Sequence, residues 1–198
     1  FLGGIRSSAQ IISYEIAMGM SVIPVFMLVG DLNLSAVIEY QKNGMWLILK
    51  QPIAFVIFLV AAFAETNRLP LDMPEAESEL VGGYHTEYSS MKFALFFLGE
   101  YAAMIAVSAM MVVLFLGGWT LPFAGLNETA TSLGMGLLQV SIFIGKLLLF
   151  MGLFIWVRWM LPRFRYDQLM AIGWTRFLPL AMANIVVTAI YLYLTHGI

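Results

Sequence analysis

Five apolar runs, at 9–30, 45–64, 91–116, 133–157 and 174–194, set the first limit on what this chain can fold into. Each is close to or above the roughly 20 residues that an α-helix needs to cross the hydrocarbon core of a bilayer. Lipid offers no hydrogen bonds to an open backbone, so such runs fold as helices that satisfy themselves. The whole chain agrees: 61% of its 198 residues are hydrophobic and 11% charged, with a mean hydropathy of +0.88. Soluble domains hold about half apolar residues. The expectation is an all-α, polytopic membrane protein, one membrane domain over 1–198 with five transmembrane helices.

The charges between the runs set its orientation. Segments 1–8, 65–90 and 158–173 fall on one side and carry Arg6, Arg68, Arg158, Arg163 and Arg165, with Lys92 and Arg176 just inside the adjoining helices. Segments 31–44 and 117–132 and the C-terminus fall on the other, with Lys42 alone. The positive-inside rule makes the first side cytoplasmic, or the matrix side in a mitochondrion. Residue 1 is Phe and the chain enters an apolar run without a leader, which predicts that it is part of a longer protein. It has no cysteine, which removes disulfides, thiolate metal sites and the usual iron-sulfur ligation from its chemistry. With His85 and His196 as its two histidines, no haem or zinc site is expected.

Against this apolar background, the stretch from Phe63 to Ser90, FAETNRLPLDMPEAESELVGGYHTEYSS, holds six of the twelve acidic residues. Pro70 and Pro74 interrupt the preceding helix, and Pro74 suits the first position of a short new one that ends at Gly82-Gly83. Glu75 and Glu79 then share a face. Two readings stay open for this pattern. Acids in a first helical turn are favoured by the helix dipole, so a solvated, capped helix would use the same residues. Alternatively Asp72, Glu75, Glu77, Glu79 and Glu87, matched by Arg68 alone, join Glu15 and Glu100 on flanking spans. Carboxylates crowded in a poorly hydrated path cannot all ionise, and they share protons as a coupled set. That set would be a proton relay.

Glu15, Lys50, Glu100 and Lys146 lie within the apolar runs, where a charge needs a partner or a cavity. Lys50 sits near a span end beside Pro52, where a snorkelling lysine is the simplest account. Lys146 is twelve residues before Arg158, about 18 Å along a helix, too deep to snorkel. It is expected to face the protein interior, opposite an acid or a polar water path. Trp46, Trp119, Trp156 and Trp159 near span ends read as interfacial anchors.

The segments ETNRLPLDMPEAESELVGGYHTEYS, FALFFLGEY and RWMLPRFRYDQLM, with RSSAQIISYE before them, carry a resemblance that runs the length of the chain. The chain resembles the membrane-subunit family designated H, or 1 in mitochondria, of proton-pumping NADH:quinone oxidoreductase, respiratory complex I. The resemblance implies that the five spans match helices four to eight of an eight-helix subunit. It also implies that the acidic loop 65–90 lines a quinone chamber, with Arg68, Asp72 and Glu65 near the quinone. Glu15, Glu75, Glu77, Glu79, Glu87, Glu100 and Lys146 would form the relay leading from the chamber toward the membrane midplane.

Arg158, Arg163, Arg165 and Asp167 match the family's last cytoplasmic loop, 158–173, which meets peripheral subunits. The same charges serve equally to set topology. Leu71 stands where the family commonly has Phe and Met73 where Leu is common. The implied cofactor is quinone as substrate, with no metal or flavin in this chain. The implied partners are the peripheral subunit that carries the terminal iron-sulfur cluster, adjacent membrane-arm subunits and lipid, but no nucleic acid. The implied setting is a bacterial inner membrane, with the mitochondrial inner membrane as alternative. Two other functions remain open: the related membrane subunit of an energy-converting hydrogenase or a ferredoxin- or F420-linked dehydrogenase, and an ion-coupled transporter whose acids bind a cation.

Overall fold

The computed structural model describes residues 2–42, 44–68, 71–72, 88–121, 132–162 and 164–196. Among these, all regular structure is helical. α1 spans Leu2–Val29, α2 Leu34–Lys42, α3 Leu47–Lys50, α4 Pro52–Glu65, α5 Met91–Leu116 and α6 Leu133–Met160. α7, Tyr166–Ala171, runs through a π-helical turn at Ile172–Phe177 into α8, Leu178–His196. The acidic helix expected from Pro74 lies outside the described residues, as do Glu75, Glu77, Glu79, Glu87 and Arg163.

Among the described residues, four helices are long and apolar enough to cross a membrane: Gly4–Val29, Met91–Leu116, Leu133–Met160 and the continuous rod Tyr166–Thr195. The expected second span, 45–64, is not one helix. It divides at Gln51, whose backbone (φ −132°, ψ 60°) leaves the helical region between α3 and α4. Pro52 explains the division, because it has no N–H to donate and disfavours helical geometry in the residue before it. α4 keeps 14 residues, about 21 Å, short of the roughly 30 Å hydrocarbon core. The break is anchored rather than loose. Gln51 Nε2 donates to Thr188 Oγ1 at 2.9 Å, and Asn184 Nδ2 donates to Gln51 Oε1 at 3.0 Å, all three side chains being buried.

α1 packs chiefly against α4 and α8, while α5 lies along α6. The core between them is aromatic and aliphatic: Tyr14, Phe58, Phe63, Met111, Phe115 and Phe154 are buried, and the Phe63 and Phe154 rings lie 4.2 Å apart. The π turn sits where α8 meets α1. There the Tyr14 hydroxyl donates to Leu169 O at 2.9 Å, and Trp174 Nε1 donates to Ser13 Oγ at 2.9 Å. The outward faces of α6 and α8 present Leu148, Leu149, Trp156, Val186 and Val187, an apolar surface suited to lipid or to neighbouring helices.

The sidedness expected from the loops is met where it can be read. Arg68, after α4, and Arg158, at the end of α6, line one pocket. The Arg6 guanidinium lies 5.6 Å from the centre of the Tyr166 ring. At the other end α5 closes on Gly117, whose φ is +67°. A Cβ there would sit 2.6 Å from Thr120 Oγ1. Gly117→Ala therefore combines a left-handed backbone, costing about 1–2 kcal/mol for a side chain, with a steric clash. The expected outcome is a loss of several degrees in the thermal unfolding midpoint of the membrane-embedded protein, read by scanning fluorescence.

Candidate functional site

The site is built where α4 stops. Arg68 N donates to Phe63 O and Asn67 N to Ala64 O, each at 3.4 Å, and Asn67 takes a left-handed φ of 48°. This is a Schellman ending, and Asn is among the few residues other than glycine that accept that backbone. Leu71 N then donates to Arg68 O at 2.9 Å, folding the chain back on itself. Gln10, fully buried on α1, clamps the turn from the side: its Nε2 donates to Ala64 O at 2.7 Å and to Leu71 O at 2.8 Å. Gln10→Leu would take a donor from both carbonyls; Ala64 O keeps the Asn67 N–H, while the loss at Leu71 O costs about 1–3 kcal/mol if that buried group is left unsatisfied. A lower thermal midpoint and faster proteolysis near residue 68 are the expected readings.

Held in this way, Arg68 lies with its guanidinium carbon 4.5 Å from the centre of the Tyr101 ring on α5. Its Nε and Nη2 are buried and have no hydrogen-bond partner among the described residues. Arg68, Tyr101, Met104, Phe154, Arg158 and Trp159 are among the walls of a pocket of about 260 Å³. Two guanidiniums and a phenol thus converge on a space whose remaining walls are apolar. Such a space suits a largely apolar molecule that carries an oxygen acceptor or a negative charge.

The acids next to this pocket are partly brought together. Glu65 is half-buried, with Oε2 enclosed and without a hydrogen bond among the described residues. It lies near enough to Glu15 for the two charges to interact. Glu15 itself is on an exposed face of α1, while Asp72 is buried and Glu100 half-buried beside Tyr101. Glu65 also borders a cleft of about 490 Å³ between α1, α4 and α5, otherwise lined by residues such as Met18, Val22, Phe58 and Met110. A carboxylate bordering an apolar cleft is poorly solvated.

Other expected site residues are placed differently. Arg165 and Asp167 form a pair at 3.3 Å with side chains 77% and 74% exposed, so they are held in solvent rather than in a core. Lys146 is half-buried as expected, but its partners are backbone carbonyls, and among the described residues it makes no ion pair with an acid. Lys50 is exposed, and its Nζ donates to the Tyr40 hydroxyl at 3.0 Å. Sequence reasoning passed over Gln10, Tyr101 and Gln41. An amide inside an apolar run was the signal for Gln10, since a buried amide needs partners. Tyr101 stood next to Glu100 and had no comparable mark.

Comparison with known proteins bears on these residues. The NADH dehydrogenase family model matches residues 1–189. NADH-quinone oxidoreductase subunit 8 of Rhodothermus marinus is 50% identical over 96% of this chain and 58% of its own length. The corresponding NADH-quinone oxidoreductase subunit of Rhodospirillum centenum is 52% identical over 96% of this chain and 54% of its own. That of Cytophaga hutchinsonii is 49% identical over 94% and 54%. The chain spans a little over half the length of the curated relatives it matches.

Proposed function

Because the chain belongs to this family of NADH-quinone oxidoreductase membrane subunits, we propose that it forms part of a quinone chamber and of a charge relay coupling quinone reduction to proton translocation. In this reading its spans correspond to helices four to eight of an eight-helix subunit, with α3 and α4 together serving as the second of the five. The acidic side faces the bacterial cytoplasm. A peripheral subunit with a terminal iron-sulfur cluster sits against that face, and Arg158, Arg163, Arg165 and Asp167 meet peripheral partners there. Further membrane-arm subunits cover the apolar faces of α6 and α8.

The observation that supports this most is the convergence of Arg68, Tyr101 and Arg158 on one pocket, with Glu65 and Glu100 close by in the chain. Quinone reduction by an adjoining cluster adds two electrons and takes up two protons. Negative charge forming on the quinone oxygens is stabilised by Arg68, whose buried Nε and Nη2 have no partner among the described residues, and the effect is larger in a confined site than in water. Asp72 and Glu65 hold protons beside it. Loss of those protons changes the charge felt by Glu15 and Glu100, and by Glu75, Glu77, Glu79 and Glu87 of the acidic segment. Lys146, bonded to carbonyls, stands apart from this set.

A quinone bearing a photoreactive group, applied to the native assembly in its membrane, is expected to label residues 65–72 and the walls formed by α5 and α6. Excess unlabelled quinone is expected to prevent the labelling. Labelling confined to the outward face of α8, or indifferent to competitor, overturns the reading.

A further inference from the structure

The end of the bundle opposite the arginine pocket holds a second polar construction. α5 stops at Leu116 and the chain turns through Gly117 and Gly118, with φ of +67° and +59°. A helix leaves its last four carbonyls without intrahelical donors, and lipid supplies none. Here two side chains from distant segments supply donors to three of the four. Gln41 Nε2, on α2, donates to Val113 O at 3.1 Å and Leu114 O at 3.2 Å, while its Oε1 accepts from Leu47 N at 3.2 Å. Lys146 Nζ, on α6, donates to Leu116 O at 2.7 Å, Gly118 O at 2.9 Å and Thr120 O at 2.7 Å.

An ammonium has three N–H donors and no acceptor, so these three carbonyls use all of them. The Trp46 ring covers the cation, its centre 5.0 Å from Nζ. The negative end of the α5 dipole adds to the attraction. Lys146 lies about 20 Å along α6 from its start at Leu133. The cap therefore ties the end of α5 to the middle of α6.

We propose that Lys146 is a positioning residue, a fixed ammonium that caps α5 within the membrane, sets its axial offset against α6 and keeps its proton throughout turnover. The offset matters at the far end of the same two helices. Tyr101 on α5 and Arg158 on α6 line one pocket, and each is joined to the cap by continuous helix. Sliding α5 along α6 would part them. The link to turnover rests on the quinone reading above; the capping role does not.

The test uses Lys146→Arg, Lys146→Gln and Lys146→Met in the native assembly in its membrane, which keep a full, a reduced and an absent set of N–H donors. Thermal stability is expected to fall in the order Arg, Gln, Met, with assembled protein several-fold lower in Met. Protons moved per electron pair, and their pH profile, are expected to match the parent in the Arg and Gln variants. A Gln variant no more stable than Met, or a Met variant as stable as the parent, overturns the cap. An Arg or Gln variant that assembles and reduces quinone yet loses proton movement, or shifts its pH profile, makes Lys146 a proton carrier and overturns the proposal. Should the parent assembly reduce no quinone, the quinone reading fails while the stability order still decides the cap.

Discussion

Arg68→Ala is expected to lower quinone-linked turnover by between about tenfold and 150-fold, the range set by losing a charged hydrogen-bond donor worth about 1.5–3 kcal/mol. The substitution removes the guanidinium stacked on Tyr101 and enlarges the pocket it shares with Arg158. The turn itself should survive, because Gln10 grips the carbonyls of Ala64 and Leu71 rather than the Arg68 side chain. Electron transfer to an artificial acceptor that bypasses the chamber is the control, and it is expected to hold near the parent rate. Equal losses in both assays would place the defect outside the chamber, and no loss in either would remove Arg68 from the quinone path.

Glu100→Gln carries the second large effect. Glutamine keeps the shape and hydrogen-bonding capacity of a half-buried glutamic acid on α5 but carries no exchangeable charge. A proton-transfer group contributes typically about 10²–10⁴ in rate. Proton translocation coupled to quinone reduction is therefore expected to fall by about a hundredfold, with the assembly intact. Measuring quinone reduction and pumping side by side separates two roles: loss of pumping alone places Glu100 past the chamber, and loss of both places it at the quinone. Unchanged values in both assays take Glu100 out of the relay.

The helices were legible in the sequence for a physical reason that needs no tertiary information. A run such as 133–157 has one backbone solution in lipid, and α6 follows it closely. The failure at 45–64 is equally local. Pro52 stood in plain view, yet an apolar average over that window hid the break it forces at Gln51. Arginine placement was readable as well, since topology follows loop charge, and Arg68 and Arg158 do share an end of the bundle. The roles of buried polar residues were not readable. Lys146 was expected to face the interior, opposite an acid or a polar water path, because depth implies a partner; depth does not say which partner, and its ammonium meets three carbonyls at the α5 ending.

By itself the sequence determined helical class, the gathering of Arg68 and Arg158 at one end of the bundle and, through motifs such as ETNRLPLDMPEAESELVGGYHTEYS, family membership. Each of these depends on residues that are neighbours in the chain or on sums over segments. The tertiary structure alone decided that Gln10 clamps the Arg68 turn, that Tyr101 meets Arg68, that Glu15 lies near Glu65 and that Lys146 closes α5. Those pairings join residues separated by dozens of positions. A hydrogen bond or ion pair acts only over a few ångströms, so its partner is set by how the helices pack.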